Sequence, residues 1–387
     1  MLINNLSPVT NKTALHLTHT CVETDSRILK EISCLVSSGY VVTGLGIVLE
    51  EGSSRSESAI DAEISSLFLY SRGFRFLPRT LRHIVSLLEL TIRMLPRAIG
   101  CKPDVVHCHD TIVLPLGVAV KLFTKAKLIY DAHELESNRN GLTRAQAFLT
   151  LSLEKFLWRF VDAQIVVSPS IQAWYQSNIG PKPSSIILNS PVFRPQSQAH
   201  NDYLRRKFLI PRNKLIFIYV GIFGPGRGLE MLAESFMRAD ISAHVVFMGY
   251  GELGDALRNL ERKHVNIHVH DAVPHEQVVP IVASADYGLC LIEEISLSDY
   301  YSLPNKLFEY CFAGIPVLAS AFPDIKQLID EYCMGMCCDL SVEAVVTAIK
   351  QLEIKTEKAR FKNLGPLSWQ AQELKILATY HTLFEAS

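Results

Sequence analysis

The sequence predicts an α/β protein made of two facing, doubly wound, Rossmann-like domains. Short apolar runs alternate with helical patterns along almost the whole chain, which is typical of parallel sheets built from βαβ units. With 387 residues, the chain is longer than one average domain. Residues 180–202 are rich in Pro, Ser, Asn and Gln and separate two alternating sets, so we expect the interdomain connection there.

The individual elements follow from their apolar patterns. In the first domain, residues 1–195, strands are predicted at 14–20, 41–49, 104–110, 127–133 and 164–168, with a helix at 26–38. In the second domain, residues 196–365, strands are predicted at 215–220, 244–248, 265–269, 287–292 and 315–319. Residues 366–387 form a separate C-terminal segment.

Composition argues against several classes of function. The net charge of −1 argues against a nucleic-acid binder. The start of the chain lacks the pattern of a secretory signal, and no apolar run reaches the ~18 residues that could span a bilayer, so we expect a cytoplasmic protein. The cysteines are scattered, and the spacing of Cys333, Cys337 and Cys338 is not that of a zinc site.

The most informative segment is 302–320, which predicts a turn, a short helix and a buried strand. Pro304 opens the helix and Gly314 ends it. Asn305, Lys306 and Glu309 project toward one side of it. A helix N-terminus with a lysine suits a diphosphate, and a carboxylate one turn later can accept hydrogen bonds from sugar hydroxyls. The alternative is a surface helix with ordinary charges.

A glycine-rich turn follows one predicted strand of the second domain. Gly249, Gly251 and Gly254 match the dinucleotide fingerprint, and Asp271 lies about 20 residues after the first of them. This match leaves an NAD-dependent or nucleotide-sugar-modifying enzyme open as an alternative. We favour a general phosphate or nucleotide loop, because any tight strand-to-helix turn selects glycines.

A second glycine-rich turn, at 221–228, follows the first strand of the same domain. It contains Gly224 and places Arg227 between two glycines. The glycines let the backbone approach a ligand closely, and the arginine guanidinium is a permanently charged donor for phosphate. The turn therefore predicts a phosphate site.

Histidines and acids follow two predicted strands of the first domain. His109 and Asp110 end one strand, and His133 and Glu134 follow the next. A neutral histidine in this position can hydrogen-bond a sugar hydroxyl. His107 and His109 share a face and can form half of a metal site, but Asp110 points elsewhere, so we expect no metal.

Residues 71–100 differ from the rest of the chain. They carry six arginines against one acid, Glu89, interleaved with apolar residues. A basic amphipathic helix of this kind can lie in an anionic membrane interface. A core helix whose exposed side is rich in arginine is an equal alternative.

Taken in order, these motifs resemble the retaining glycosyltransferases of family four, which have the GT-B fold, and among them those of bacterial surface polysaccharides. The resemblance rests on the Gly-x-x-Gly-x-x-Arg-Gly loop, the Gly-x-Gly turn, the Pro-Asn-Lys-Leu-Phe-Glu-Tyr helix and the strand ends His-Cys-His-Asp and Tyr-Asp-Ala-His-Glu. It implies that the C-terminal segment is a helix that packs back on the first domain.

The resemblance implies roles by position. Glu309 would bind the ribose of a nucleotide-sugar donor, Arg227 would clamp its phosphates, and His109 would face the donor sugar. The residues predicted for catalysis are His109, Arg227 and Lys306, and those predicted for donor binding are Pro304, Asn305, Glu309, Gly224, Gly249 and Gly251. The residues predicted for the acceptor cleft are Asp25, Arg27, Asp110, His133 and Glu134.

Two departures from the family pattern add a further alternative. Tyr301 stands eight residues before Glu309, where the family carries a glutamate, and Ile222 stands where a second basic residue is common. Lys306 can replace the missing charge, as in a related subgroup. The alternative is an inactive GT-B partner subunit.

The resemblance therefore implies an enzyme that moves a sugar from a nucleotide-diphosphate sugar to a hydroxyl of a glycan or lipid-linked glycan. It implies retention of configuration, no metal and no other cofactor. If residues 71–100 meet the membrane, the enzyme acts as a peripheral protein on its cytoplasmic face.

Overall fold

The computed structural model describes residues 12–48, 60–192, 201–354 and 361–385. The chain forms two compact units, one made of residues up to 187 and from 372 onward, and the other of residues 188–371. The predicted boundary between residues 195 and 196 lies outside the described residues. The C-terminal segment was predicted to begin at 366, whereas the chain enters the first unit at Gln372, inside its last helix.

The first unit contains a seven-stranded sheet in which all neighbouring strands are parallel. Its strands are Thr13–Leu17 (β1), Val41–Val48 (β2), Glu63–Phe68 (β3), Val105–His109 (β4), Lys127–Ala132 (β5), Ala163–Val166 (β6) and Ser184–Ile186 (β7). They lie in the order β3-β2-β1-β4-β5-β6-β7, so the winding reverses between β1 and β4. Ligands of open α/β sheets bind at the carboxyl ends of the strands at such a reversal.

The helices of the first unit are Ser26–Ser37 (α1), Arg79–Gly100 (α2), Leu114–Thr124 (α3), Arg144–Leu157 (α4) and Pro169–Asn178 (α5). Polar side chains determine where several of them begin. The Asp25 carboxylate accepts hydrogen bonds from the first backbone N–H groups of α1. Thr143 and Gln146 form a capping box at the start of α4.

The second unit contains a six-stranded parallel sheet. Its strands are Ile216–Ile222 (β8), His244–Tyr250 (β9), Ile267–Asp271 (β10), Tyr287–Cys290 (β11), Val317–Ser320 (β12) and Gly335–Cys338 (β13). Its helices are Tyr203–Phe208 (α6), Leu229–Phe236 (α7), Gly254–Glu261 (α8), His275–Val282 (α9), Leu297–Tyr300 (α10), Asn305–Phe312 (α11), Pro323–Tyr332 (α12) and Val342–Ile354 (α13). The strand order β10-β9-β8-β11-β12-β13 reverses between β8 and β11.

The last helix, Trp369–Glu385 (α14), begins in the second unit and ends in the first. In the first unit, the fully buried Tyr380 places its hydroxyl 2.9 Å from Nδ1 of His107. Near the edge strand β7, the hydroxyls of Thr379 and Ser185 lie 2.7 Å apart. The crossover helix that belongs to the predicted fold is therefore present.

Both doubly wound sheets confirm the predicted fold class. The edge strands β3, β7 and β13 were not predicted. β3 and β7 contain polar residues such as Ser65, Ser66 and Ser184 in place of a continuous apolar run, and β13 is only four residues long. None of the helices in the described ranges is both long enough and apolar enough to cross a membrane.

Candidate functional site

In the second unit, the loops after β8 and β11 meet at the point where the sheet reverses. The N–H of Glu293 donates to the carbonyl of Gly226 at 3.1 Å and joins the two loops. Gly228 has a φ of +69°, and a Cβ on it would lie 2.3 Å from the carbonyl oxygen of Leu291. The glycines of the Arg227 turn therefore allow a close backbone approach at the edge where a ligand would bind.

Two cations lie at this edge of the second sheet. Nζ of Lys306 lies 3.7 Å from the ring centroid of Tyr219. Burial, together with the nearby positive charge of Arg227, lowers the pKa of Lys306 to about 8. Among the described residues, neither cation has a carboxylate oxygen within 4 Å. Their charge is therefore available to an anion.

The N-terminus of α11 adds to this positive charge. Asn305 is its first residue and Pro304 its N-cap, no side chain caps it, and its first turn holds no acid. The Tyr310 hydroxyl accepts a hydrogen bond from Val220 N at 2.9 Å and donates one to Leu289 O at 3.1 Å. This tyrosine fixes α11 against β8 and β11, so the helix start is held at the sheet reversal.

The other residues predicted for the donor site occupy the same unit. Glu309 follows Lys306 by one turn of α11 and is only 7% exposed. Gly224 lies in the loop after β8 with open space around it apart from its own neighbour Ile222. Ile222 is exposed at the end of β8, and Tyr301 follows α10. The structure thus brings Arg227, Lys306 and the start of α11 together around one strand end.

Gly249 and Gly251 have a structural reason to be glycine. A Cβ on Gly249 would lie 1.8 Å from the carbonyl oxygen of Gly221, and one on Gly251 would lie 2.5 Å from that of Phe223. Asp271, which the dinucleotide hypothesis requires for a ribose, forms an ion pair with Arg258 at 2.5 Å. This turn follows β9, not a strand at the sheet reversal, so its position does not favour a dinucleotide site.

In the first unit, a cluster of buried histidines lies at the carboxyl ends of β1, β4 and β5. Nε2 of His109 lies 2.9 Å from Nδ1 of His16, and Nδ1 of His109 lies 3.1 Å from Nε2 of His133. His109 is fully buried, and its Nδ1 also lies 3.6 Å from Oδ2 of Asp131. The side chain of His133 is partly exposed, so among these three histidines it is the one that reaches the surface.

The charges of this cluster follow from its surroundings. Burial and the neighbouring His107 lower the pKa of His109 to about 3. Burial alone would lower the pKa of His133, but the carboxylates of Asp110 and Asp131 raise it to about 10. Burial also opposes the charge of Asp131, but Arg27 and the imidazoles hold its pKa well below the usual range. His133 is thus a cation beside a neutral His109.

The ligand atoms of two groups in this cluster are close enough to suggest a metal. Those of His16, Glu31, His107 and His109 lie within 4.8 Å of one another, as do those of His109, Asp131 and His133. In the first group, the three imidazole rings are stacked with interplanar angles of 15–29°. Lone pairs lie in the ring plane, so nearly parallel rings do not direct them to one ion. In the second group, both carboxylate oxygens of Asp131 already accept hydrogen bonds from Arg27 at 3.2 Å.

The predicted acceptor residues take different places in the first unit. Arg27 is buried and pairs with Glu31 and Asp131, so it acts within the fold. Asp25 caps α1. Glu134 is exposed, and its carboxylate lies 3.8 Å from Nε of Arg139. The structure therefore brings His109, His133 and Asp110 together, and it links Arg27 to them through Asp131, which lies 3.2 Å from Arg27 and 3.3 Å from His133. Among the described residues, Asp25 and Glu134 do not join this cluster through a contact of this kind.

Asp110 follows β4 at the carboxyl edge of the sheet, where ligands of such folds bind, and its backbone is strained. Its φ of +68° is uncommon for a residue with a side chain. Its carboxylate lies 3.8 Å from His19 and 3.9 Å from His133.

Sequence reasoning missed His16, Asp131 and Tyr380, although a histidine or aspartate inside an apolar strand is itself a signal of a buried polar network.

Two Rossmann-like units, each a doubly wound parallel sheet, match the GT-B fold. Residues 33–190 match the family model described as Glycosyltransferase Family 4, and residues 214–353 match that described as Glycosyl transferases group 1. The chain belongs to glycosyltransferase family 4, and it is a glycosyltransferase.

The chain is similar to known proteins over most of its length. A chitobiosyldiphosphodolichol beta-mannosyltransferase from Kluyveromyces lactis is 23% identical over 313 residues, which cover 68% of each chain. Sucrose-phosphate synthase from Thermosynechococcus elongatus is 16% identical, with a TM-score of 0.79 over 97% of this chain and 100% of that one. Anabaena Alr3699/HepE, solved with UDP and glucose, is 13% identical, with a TM-score of 0.68 over 97% and 99%. These structures share the GT-B fold.

Proposed function

We propose that the protein transfers a sugar, with retention of configuration, from a nucleotide-diphosphate sugar to a hydroxyl of a lipid-linked glycan during cell-surface polysaccharide biosynthesis. The observation that carries the donor assignment is the unneutralised pair Arg227 and Lys306 beside the uncapped start of α11. A diphosphate supplies the opposite charge and the acceptor atoms for both side chains.

The proposed chemistry follows from this arrangement. When the bond from the anomeric carbon to the diphosphate oxygen breaks, positive charge develops on the sugar and negative charge on the leaving group. Arg227, Lys306 and the helix N-terminus stabilise that negative charge, so the scheme requires no metal or other cofactor. The acceptor oxygen bonds to the same face of the sugar, and its proton passes to the departing diphosphate.

The donor assignment is tested by thermal shift with UDP-, GDP-, ADP- and CMP-sugars. A ligand at 100 times its Kd stabilises the protein by about 2.7 kcal/mol. We expect one nucleotide class to shift the wild type and Arg227→Gln to weaken binding about tenfold to a hundredfold, as for a charged hydrogen bond. Arg238→Gln, on another exposed arginine of the same unit, is the control. No shift with any sugar nucleotide would refute the proposal.

The stereochemical assignment needs its own measurement. With a donor whose sugar is α-linked to the diphosphate, NMR of the product should show an α linkage. The Kluyveromyces lactis relative is named a beta-mannosyltransferase, so a β product is the informative contrary outcome and would replace retention by inversion. Nucleotide binding without turnover on any acceptor would favour the inactive partner subunit.

A lipid-linked acceptor at the cytoplasmic face of a membrane is supported by two observations. The yeast relative is named for an acceptor joined to dolichol through a diphosphate. In the first unit, α2 exposes an apolar stripe at helical spacing, from Leu81 (45%) and Ile84 (51%) to Leu88 (57%) and Ile92 (70%). The same helix carries Arg82 and Arg97, and arginines suit anionic headgroups.

Co-sedimentation with anionic liposomes at low salt tests this contact. We expect the wild type to bind, and Leu88→Gln with Ile92→Gln to reduce binding severalfold by removing buried apolar area at the interface. Val265→Gln, at an exposed valine of the second unit, is the control for general loss of surface hydrophobicity. Wild-type protein that stays in the supernatant would contradict membrane contact.

A further inference from the structure

We infer that a basic cavity of the first unit binds the diphosphate of a lipid-linked acceptor. The cavity has a volume of about 310 Å³ and is lined by the segment before α2, by α2 itself and by the loops after β1 and β4. This inference rests on the proposed function in one respect, since it identifies the part of the acceptor that the enzyme grips.

The position of the cavity follows from the strand order. His19 belongs to the loop after β1 and Ile112 to the loop after β4, and both line the cavity. These two strands are the pair at which the sheet of the first unit reverses. The carboxyl ends of such a pair are the ligand edge of an open α/β sheet. The strained Asp110 lies in the same loop as Ile112.

Two arginines give the cavity a positive charge that no nearby carboxylate of the described residues neutralises. Arg72 and Arg82 line it, and among the described residues neither has a carboxylate oxygen within 4 Å. Glu89, the single acid of α2, is already bound by Arg93 at 3.0 Å and by the N–H groups of Tyr70 and Ser71 at 3.0 and 2.8 Å. The two guanidiniums therefore lack an internal counter-ion, and a diphosphate supplies two.

The apolar part of the cavity indicates a lipid rather than a free phosphate. Leu69, Leu87 and Leu90 line the cavity together with the two arginines, so a hydrocarbon group attached to the diphosphate would find apolar surface there. The first turns of the same helix begin the exposed stripe at Leu81 and Ile84. A charged cavity that borders an apolar surface fits an amphiphile whose chain continues into a bilayer.

Isothermal titration with farnesyl diphosphate, inorganic pyrophosphate and farnesol tests the inference. Because the donor site also attracts diphosphates, the titrations use the full chain carrying Arg227→Gln and Lys306→Gln. We expect farnesyl diphosphate to bind more tightly than pyrophosphate and farnesol to bind weakly. Arg72→Gln and Arg82→Gln should each weaken farnesyl diphosphate about tenfold or more, as for loss of a charged hydrogen bond.

Arg97→Gln is the matched control, because Arg97 is exposed near the other end of α2 and does not line the cavity. Circular dichroism shows whether each variant folds. Farnesyl diphosphate affinity that is unchanged by Arg72→Gln and Arg82→Gln, or equally reduced by Arg97→Gln, would overturn the site. Pyrophosphate that binds as tightly as farnesyl diphosphate would overturn the lipid assignment.

A second readout separates this inference from the proposed function. In the otherwise wild-type chain, Arg72→Gln and Arg82→Gln should leave the thermal shift by the nucleotide sugar unchanged, because they lie in the first unit. If no nucleotide binds the wild type, the proposed donor fails while the cavity result stands. If nucleotides bind and the cavity variants have no effect on farnesyl diphosphate, this inference alone fails.

Discussion

At the residue scale, burial and neighbouring charges give two adjacent histidines different protonation states. His109 and His133 lie 3.1 Å apart at their ring nitrogens, yet burial holds the first neutral and two carboxylates hold the second charged. Lys306 is a third case, since burial and Arg227 lower its pKa to about 8 without removing its charge at pH 7. Each group's protonation state is a property of its neighbours, not of its type.

Donor binding should depend on pH through Lys306. The lysine is protonated below its pKa of about 8, and it loses its charge as the pH rises through that value. Nucleotide affinity should therefore fall between pH 7.5 and 9 by up to about eightfold, which is the change in the protonated fraction of a lysine with this pKa. Lys306→Arg should flatten this profile because a guanidinium stays charged. An identical fall in the arginine variant, measured by calorimetry, would assign it to another group.

At the scale of elements, glycines determine how closely the loops of the second sheet approach one another. The turn after β9 packs on the turn after β8, with Phe223 N donating to Tyr250 O at 2.6 Å and Leu253 N donating to Phe223 O at 3.0 Å. This backbone pairing leaves no room for side chains at Gly249 and Gly251. The same residues that match a dinucleotide fingerprint thus support the neighbouring Arg227 turn.

Gly249→Ala should destabilise the protein strongly. The new Cβ would lie 1.8 Å from the carbonyl oxygen of Gly221, and the φ of +156° is unfavourable for alanine. We expect a loss of about 3 kcal/mol or more in the free energy of unfolding, from strain and forced backbone movement.

Gly254→Ala is the matched control, because its Cβ would meet only Phe223 Cδ2 at 3.7 Å. Chemical denaturation should show that variant to be unchanged or slightly more stable, as alanine favours the helix. Equal loss in both variants would contradict the packing explanation.

At the scale of the whole molecule, the chain returns to its first unit through α14. Tyr380 is fully buried between the sheet and the terminal helix, with its hydroxyl 2.9 Å from His107 Nδ1 and 3.4 Å from His16 Nε2. The histidine cluster at the strand ends therefore depends on a residue 273 positions further along the chain than His107. A residue near the C-terminus thus completes a hydrogen-bond network whose other members lie in the first two hundred residues.

Tyr380→Phe should reduce the stability of the folded chain by about 1–3 kcal/mol, because it leaves buried imidazole nitrogens without a hydrogen-bond partner. Its shape is otherwise kept, so packing is little disturbed. Tyr250→Phe, at a tyrosine that is 65% exposed, should be neutral. Thermal unfolding of the two variants measures the difference, and similar midpoints would show that the hydroxyl of Tyr380 contributes nothing.

The amino-acid sequence was sufficient to predict the two doubly wound sheets and the family. It also predicted the short helix that carries Lys306 and Glu309. These features depend on local periodicity and on turn residues, which involve residues close together in the sequence. The edge strands were missed because packing at the margin of an existing sheet, not an apolar run, makes them strands.

Which charged groups can bind a ligand depends on the folded arrangement of the chain. Arg27 and Arg227 are equally basic in sequence, yet Arg27 is buried between Glu31 and Asp131, whereas Arg227 is exposed without a carboxylate partner among the described residues. Likewise His109 is enclosed by histidines, and Arg72 and Arg82 converge on one cavity. Solvation and pairing depend on residues distant in sequence, so charge availability is a property of the folded chain.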